Sequence, residues 1–356
     1  MKGAGYIVAA VTRGTVPEWM GAAIVYGVVL LYVVRSGVLG VGWTNTFQGI
    51  FMMLLAWGLG LYLPYRLHGG VGEMFSRIAA ERPELLLAPG LTPAGQPWGW
   101  GEYSSAIVVS IIGFAVWPHL FMKAFTARDE RTLRRTVVLY PTFQIFLVPL
   151  FLIGFAGVFF EPAPAQADQI LPHMLMNMEM PALLVGLFCA GGLAASMSSG
   201  DAMAHATASI VVRDGFVRGG GVDWDPARQR RAMQIVLVLV LLVSYGVAVL
   251  YQGSLVYLLL SAYGAVVQFV PGVGAALYSR RTTWAGVVCG LAAGAVVTTT
   301  FVIFPEWRPF AIHAGLYGLA VNTATVVLVS LITGRTLPER QAHFLSVAAG
   351  ERSSRK

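Results

Sequence analysis

From residue 181 to residue 212 the sequence carries one charged side chain, Asp201, in a run otherwise made of apolar and small residues. Wound as a helix, the run is roughly 50 Å long at about 1.5 Å per residue, well beyond the ~30 Å hydrocarbon core of a bilayer. It is therefore predicted to tilt or to project from the membrane. A carboxylate at such depth is costly in lipid and by default marks an ion or proton path. Ala195, Ser198 and Ser199 stand just before it, and His205 follows one turn later.

The rest of the chain supports a membrane reading. Of 356 residues, 56% are hydrophobic and 12% charged, and the mean hydropathy is +0.69. A soluble domain carries about twice that charge. Outer-membrane strands alternate apolar and polar residues, and these segments do not. The chain is therefore predicted to be an all-α polytopic membrane protein. Cys189 and Cys289 each lie inside an apolar run and read as packing residues, without disulfide or metal-ligand spacing. The net charge of +7 fits basic cytoplasmic loops and calls for no nucleic acid. Residues 1–14 are not expected to form a cleavable leader.

Residues 3–12 make an apolar run half as long as a span requires. Nine full spans are predicted at about 20–38, 42–63, 104–122, 137–160, 181–212, 233–251, 255–278, 283–304 and 311–332. Together they form a single transmembrane domain, 1–340, followed by a cytoplasmic tail, 341–356. With the loops assigned to alternate sides, one side holds eighteen Lys and Arg and the other five. That asymmetry puts the C-terminus in the cytoplasm of a multi-pass protein of a bacterial-type inner membrane. Residues 71–81 and 167–176 read as short helices lying on the bundle. Trp19, Trp98, Trp100 and Trp307 read as interface anchors.

Four segments together resemble the sodium:solute symporter family, whose members carry proline, pantothenate, monocarboxylates or sugars. Val41-Gly42-Trp43-Thr44-Asn45-Thr46-Phe47-Gln48-Gly49 is similar to that family's G-x-W-T-D-x-x-Q-G. Trp117-Pro118-His119-Leu120, followed by Ala124-Phe125-Thr126-Ala127-Arg128-Asp129 and Arg134-Arg135, is similar to its Q-P-H helix end and next loop. Ala195-Ser196-Met197-Ser198-Ser199, with Asp214 further on, resembles its ion-site helix. Gln268-Phe269-Val270-Pro271-Gly272 through Arg280-Arg281 and Ala285-Gly286 resembles its tenth core helix and the start of the next. The resemblance implies a leucine-transporter-like bundle of two inverted repeats around a midplane site. On that template the first helices of repeat one are missing. The chain is then expected to be an N-terminally truncated form.

The resemblance assigns Ala195, Ser198 and Ser199 to a sodium site, the other half lying on the missing first helix. Taken alone, the residues admit a second reading, in which the serines bond their own helix carbonyls. Ser198, Asp201 and His205 share one helix face. The family usually has Asp where this chain has Asn45, so a second cation or proton site is expected from Asp201, Asn45 and His205. Pro118 interrupts its span, and backbone freed there is tolerated where it lines a cavity. The resemblance puts the solute against that break, with Phe114, Trp117 and His119 nearby. Tyr263 and Gln268 are expected to face the same cavity.

The expected function is sodium-coupled symport of a small polar solute (a carboxylate, amino acid or sugar) by alternating access. The coupling ion is sodium, with a proton as the alternative, and no other cofactor is called for. No enzyme chemistry is expected, because the acidic and His residues are scattered. A symporter-like sensory module and a non-functional truncated remnant are the alternatives.

Overall fold

A computed structural model describes residues 2–92, 95–125, 127–164, 166–178, 180–279 and 281–333, without the side chains of 32 and 34–41. The helices are α1 (Lys2–Val11), α2 (Glu18–His68), α3 (Val71–Glu81), α4 (Trp100–Phe114), α5 (Pro118–Ala124), α6 (Glu130–Phe143) and α7 (Leu147–Ala156). They continue with α8 (Ile170–Asn177), α9 (Ala182–Ser209), α10 (Pro226–Leu250), α11 (Leu255–Val266), α12 (Phe269–Tyr278), α13 (Trp284–Ile303) and α14 (Ala314–Ile332). A π-helical stretch, Ile210–Gly219, prolongs α9. Among the described residues no strand forms beyond one isolated bridge, Leu91 with Pro97, and 8 helices are long and apolar enough to cross a membrane. The fold is all-α and polytopic. The tail 341–356 lies outside the described residues.

The spans separate where local chemistry dictates. Asp129 caps α6 by accepting from the Thr132 N–H at 2.7 Å. Asp225 caps α10 by accepting from the Arg228 N–H at 2.8 Å, with Pro226 in the first turn. Thr283 and Ser254 cap α13 and α11 in the same way. Three spans are interrupted. One breaks between α4 and α5, just before Pro118; one tightens to a 3-10 turn at Gln144–Phe146, between α6 and α7; and one breaks at Val267-Gln268, between α11 and α12.

One boundary differs from the sequence reading. Separate spans at 20–38 and 42–63 are met by a single unbroken helix, α2, of 51 residues. No proline stands between Pro17 and Pro64 to force a break, and scattered glycines only weaken a helix without ending it. Residues 34–41, where a turn was expected, keep helical backbone.

The chain divides into two compact units, Met1–Leu86 with Met122–Gly253, and Leu87–Phe121 with Ser254–Lys356. In the first, α2 packs on α1, α7, α9 and α10. Leu59, Leu63, Met74, Ile78, Ile153, Met174 and Phe188 form one buried cluster. The two short helices expected from amphipathic patterning supply Met74, Ile78 and Met174 to it, which is why α3 and α8 lie where they do. Val29, Val33, Ala204, Ala208, Leu237 and Leu241 form a second cluster.

In the second unit, α13 and α14 pack as a close hairpin. Gly286, Gly290 and Gly294 recur every fourth residue and are buried against α14. A Cβ on Gly286 would stand 2.8 Å from the Val326 carbonyl, and one on Gly290 2.8 Å from that of Asn322. Small residues at this spacing let two helix backbones touch, which is how helices associate where lipid offers no hydrophobic drive.

Candidate functional site

The polar stretch of α9 belongs to the first unit. Leu55 of α2 sits where Gly191 of α9 leaves room, while Val29 and Val33 cluster with Ala204 and Ala208. The two helices are therefore antiparallel. Asn45 falls between these two levels on α2, and Ser198 and Asp201 fall between them on α9. The register brings them to the same stretch of the α2–α9 contact.

On that stretch the oxygens are graded by exposure. Ala195 and Ser199 are exposed, Ser198 and His205 half-buried, and Asp201 is wholly buried. The Ser198 hydroxyl donates to the Ala195 carbonyl at 3.1 Å. This is the local bond that a small hydroxyl residue makes in an apolar helix. It also places two of the three expected sodium oxygens side by side. Ser196 turns the other way, to the Gly192 carbonyl at 3.0 Å. Asn45 is half-buried, and its Oδ1 is buried without a hydrogen-bond partner among the described residues. Gln48 Oε1, one turn on along α2, is in the same condition. Gln48 stands in the motif that drew attention to Asn45, and the i, i+3 spacing is the signal that pairs the two.

The second polar locality is the break in the second unit. α4 ends at Phe114 and α5 starts at Pro118, which has no N–H to continue the ladder. The Val116 N–H reaches the Gly113 carbonyl at 3.1 Å, and Leu120 N–H reaches that of Trp117 at 3.0 Å. The Trp117 ring meets His119 edge-on at 5.6 Å and Tyr263 at 5.5 Å. Gly113 lets Tyr263 approach: a Cβ there would be 3.2 Å from its ring. Phe114, at the end of α4, is half-buried. Trp117, His119 and Tyr263 thus form one aromatic group at the break.

Gln268 is held in a hydrogen-bond network. It is 2% exposed, and its Nε2 lies 3.1 Å from Thr298 Oγ1, 3.1 Å from the Gly264 carbonyl and 3.0 Å from that of Gly315. Asn322 Nδ2 donates to the Gln268 carbonyl at 2.7 Å and reaches its Oε1 at 3.3 Å. This network ties the break between α11 and α12 to the α13–α14 hairpin. Sequence reasoning overlooked Asn322, Thr298 and the glycine ladder, although the four-residue spacing of Gly286, Gly290 and Gly294 was open to view.

The sodium:solute symporter family matches residues 18–294. Among curated proteins, the uncharacterized symporter YhjB of Bacillus subtilis (strain 168) is 26% identical over 351 residues, covering 94% of this chain and 69% of its own length. The sodium/proline symporter of Staphylococcus aureus (strain JH9) is 24% identical over 331 residues, covering 88% of this chain and 62% of itself. Among solved structures, the substrate-bound outward-open state of a Na+-coupled sialic acid symporter aligns with a TM-score of 0.70 at 17% identity, over 93% of this chain and 70% of that one. The chain therefore spans between about six and seven tenths of the length of these relatives. The fold is the leucine-transporter-like bundle of that symporter. By the extent of the match, this chain belongs to the sodium:solute symporter family.

Proposed function

We propose that the chain works as part of a sodium-coupled symporter that moves a small polar solute inward by alternating access. The observation that supports this most is Asp201, wholly buried in an apolar helix, one turn beyond Ser198, whose hydroxyl lies 3.1 Å from the Ala195 carbonyl. Sodium is a hard cation that wants oxygen ligands. Ala195, Ser198 and Ser199 supply them from one turn, and the exposure of Ala195 and Ser199 leaves that face open to ligands from another segment. Asp201, Asn45 and His205 form a second cation or proton site on the same helix contact. There a carboxylate on α9 takes the place of the one that the family has on α2.

The solute is held at the break between α4 and α5, where Phe114, Trp117, His119 and Tyr263 offer aromatic faces and freed backbone groups. Its class is a carboxylate, an amino acid or a sugar. The membrane is a bacterial-type inner membrane with the C-terminus cytoplasmic, as the seventeen-to-four asymmetry of Lys and Arg from the end of α2 onward supports. Rocking of one set of helices against the other exposes the site to each side in turn.

Proteoliposomes carrying the full chain test the reading. Uptake of labelled amino acids, carboxylates and sugars is measured with an inward sodium gradient and with potassium in its place. Sodium-driven accumulation of one solute class is expected, and Asp201→Asn should change its cation dependence. Uptake indifferent to the cation, or an Asp201→Asn protein with unaltered cation dependence, contradicts the reading.

A further inference from the structure

In the second unit, a recess of about 180 Å³ opens beside the loop joining α13 and α14. Its charged walls are Glu102, in the first turn of α4, and Arg308, in the loop. The Arg308 guanidinium is already fixed by the protein. Its Nε donates to the Pro305 carbonyl at 3.2 Å and its Nη1 to that of Ile312 at 3.3 Å. Its nearest approach to Glu102 is 3.9 Å, from Nη1 to Oε1, too long for a hydrogen bond. Both side chains are partly covered, 20% and 34% exposed. The floor is set by a third tie: the His313 N–H donates to the Ser105 hydroxyl at 2.7 Å, which holds the start of α14 against α4. Leu260 and Phe301 add an apolar wall, and Ser261 a hydroxyl.

A fixed cation and a carboxylate, in a long ion pair without a direct hydrogen bond, on the wall of a small half-apolar recess are complementary to a dipole of the opposite sense. We infer that this recess binds a small aliphatic α-amino acid as its zwitterion. The ligand's carboxylate lies on Arg308, its ammonium on Glu102, and its side chain against Leu260 and Phe301. The spacing of the two protein charges is close to that of the two charges on an α-amino acid, so both pairs form together. Each is a charge-assisted hydrogen bond, stronger than its neutral counterpart. The recess lies within one compact unit and uses none of the residues assigned above to sodium or to the transported solute. The inference therefore stands apart from the transport reading.

Calorimetric titration of the purified full chain, in choline chloride without sodium, tests it with three probes. L-valine carries both charges, isovalerate lacks the ammonium and isobutylamine lacks the carboxylate. L-valine is expected to bind at one site, and each single-charge probe about tenfold more weakly or worse. Glu102→Gln should erase the advantage of L-valine over isovalerate, and Arg308→Gln its advantage over isobutylamine, in proteins whose melting temperatures match the parent. A merely structural pair would not sort the probes in this way. The inference is overturned if L-valine gives no saturable heat, if isovalerate binds as tightly, or if Glu102→Gln leaves the ratio unchanged. It is also overturned if binding requires sodium and is lost in Ser198→Ala, which would assign it to the transport site.

Discussion

Both units bury polar groups within apolar helices, and they treat them differently. Around Gln268, in the break between α11 and α12, the side-chain amide and the backbone carbonyl are bonded to Thr298 of α13 and to Gly315 and Asn322 of α14. On α9, Ser198 bonds its own turn and Ser199 is exposed, while among the described residues Asn45 Oδ1 and Gln48 Oε1 on α2 have no hydrogen-bond partner. A buried polar group left unsatisfied costs about 1–3 kcal/mol, whereas a closed network rigidifies its surroundings. Polarity inside a span is therefore not itself the mark of a ligand site. Whether the protein has already used the oxygens decides it. The Gln268 network is closed among protein groups, and the α9 stretch is where we propose that oxygens serve a cation.

Substitutions should separate the two localities by what they damage. The largest effect is expected from Gly294→Leu. A Cβ there already stands 2.9 Å from the Gly318 carbonyl and 2.7 Å from Asn322 Cβ, so a longer side chain must part α13 from α14. A loss on the order of 3 kcal/mol is expected, read as a large drop in melting temperature or a failure to run as a single species. Asn322→Ala comes next. It strips the donor from the Gln268 carbonyl and should destabilise by about 1–3 kcal/mol in the same assay. Were Asn322→Ala to melt like the parent and alter only transport, the contrast between the localities would collapse.

Ser198→Ala should act in the opposite sense. Its only described bond is local, so the stability change should be below about 1 kcal/mol, while the sodium needed for half-maximal uptake rises. The smallest effect is expected at Asp129, the cap of α6. The Thr132 N–H and hydroxyl hold its carboxyl below the usual carboxylate range. A depressed folded-state pKa stabilises above the unfolded value and loses that contribution as pH falls through the folded one. Asp129→Ala should therefore lower the melting temperature slightly at neutral pH, leave it little changed below the folded-state value, and so flatten the acid limb of a melting-temperature-versus-pH profile.

These contrasts also explain what the sequence could reveal. Periodicity is local, so α3 at Val71–Glu81 and the break before Pro118 were readable from spacing and from proline chemistry. The buried carboxylate of Asp201 was readable from depth alone. Gln268 was expected at a cavity because a polar residue beside Pro271-Gly272 resembles a site. Its partner Asn322 lies 54 residues away, and nothing in either neighbourhood announces the pairing. The unbroken course of α2 differs from the two spans read at 20–38 and 42–63, because a helix continues where no residue forbids it. The Glu102–Arg308 approach was likewise invisible, since the fold alone brings the start of α4 to the loop after α13.

Sodium-dependent melting of the full chain tests the role of α9 most directly. A ligand that binds only the folded state raises its apparent stability with concentration. Sodium, but not an equal concentration of potassium, should raise the melting temperature of the parent, and the double substitution Ser198→Ala/Ser199→Ala should abolish that rise without lowering the sodium-free value appreciably. A rise that survives in the double variant would contradict the account, and so would a parent that melts identically in both salts.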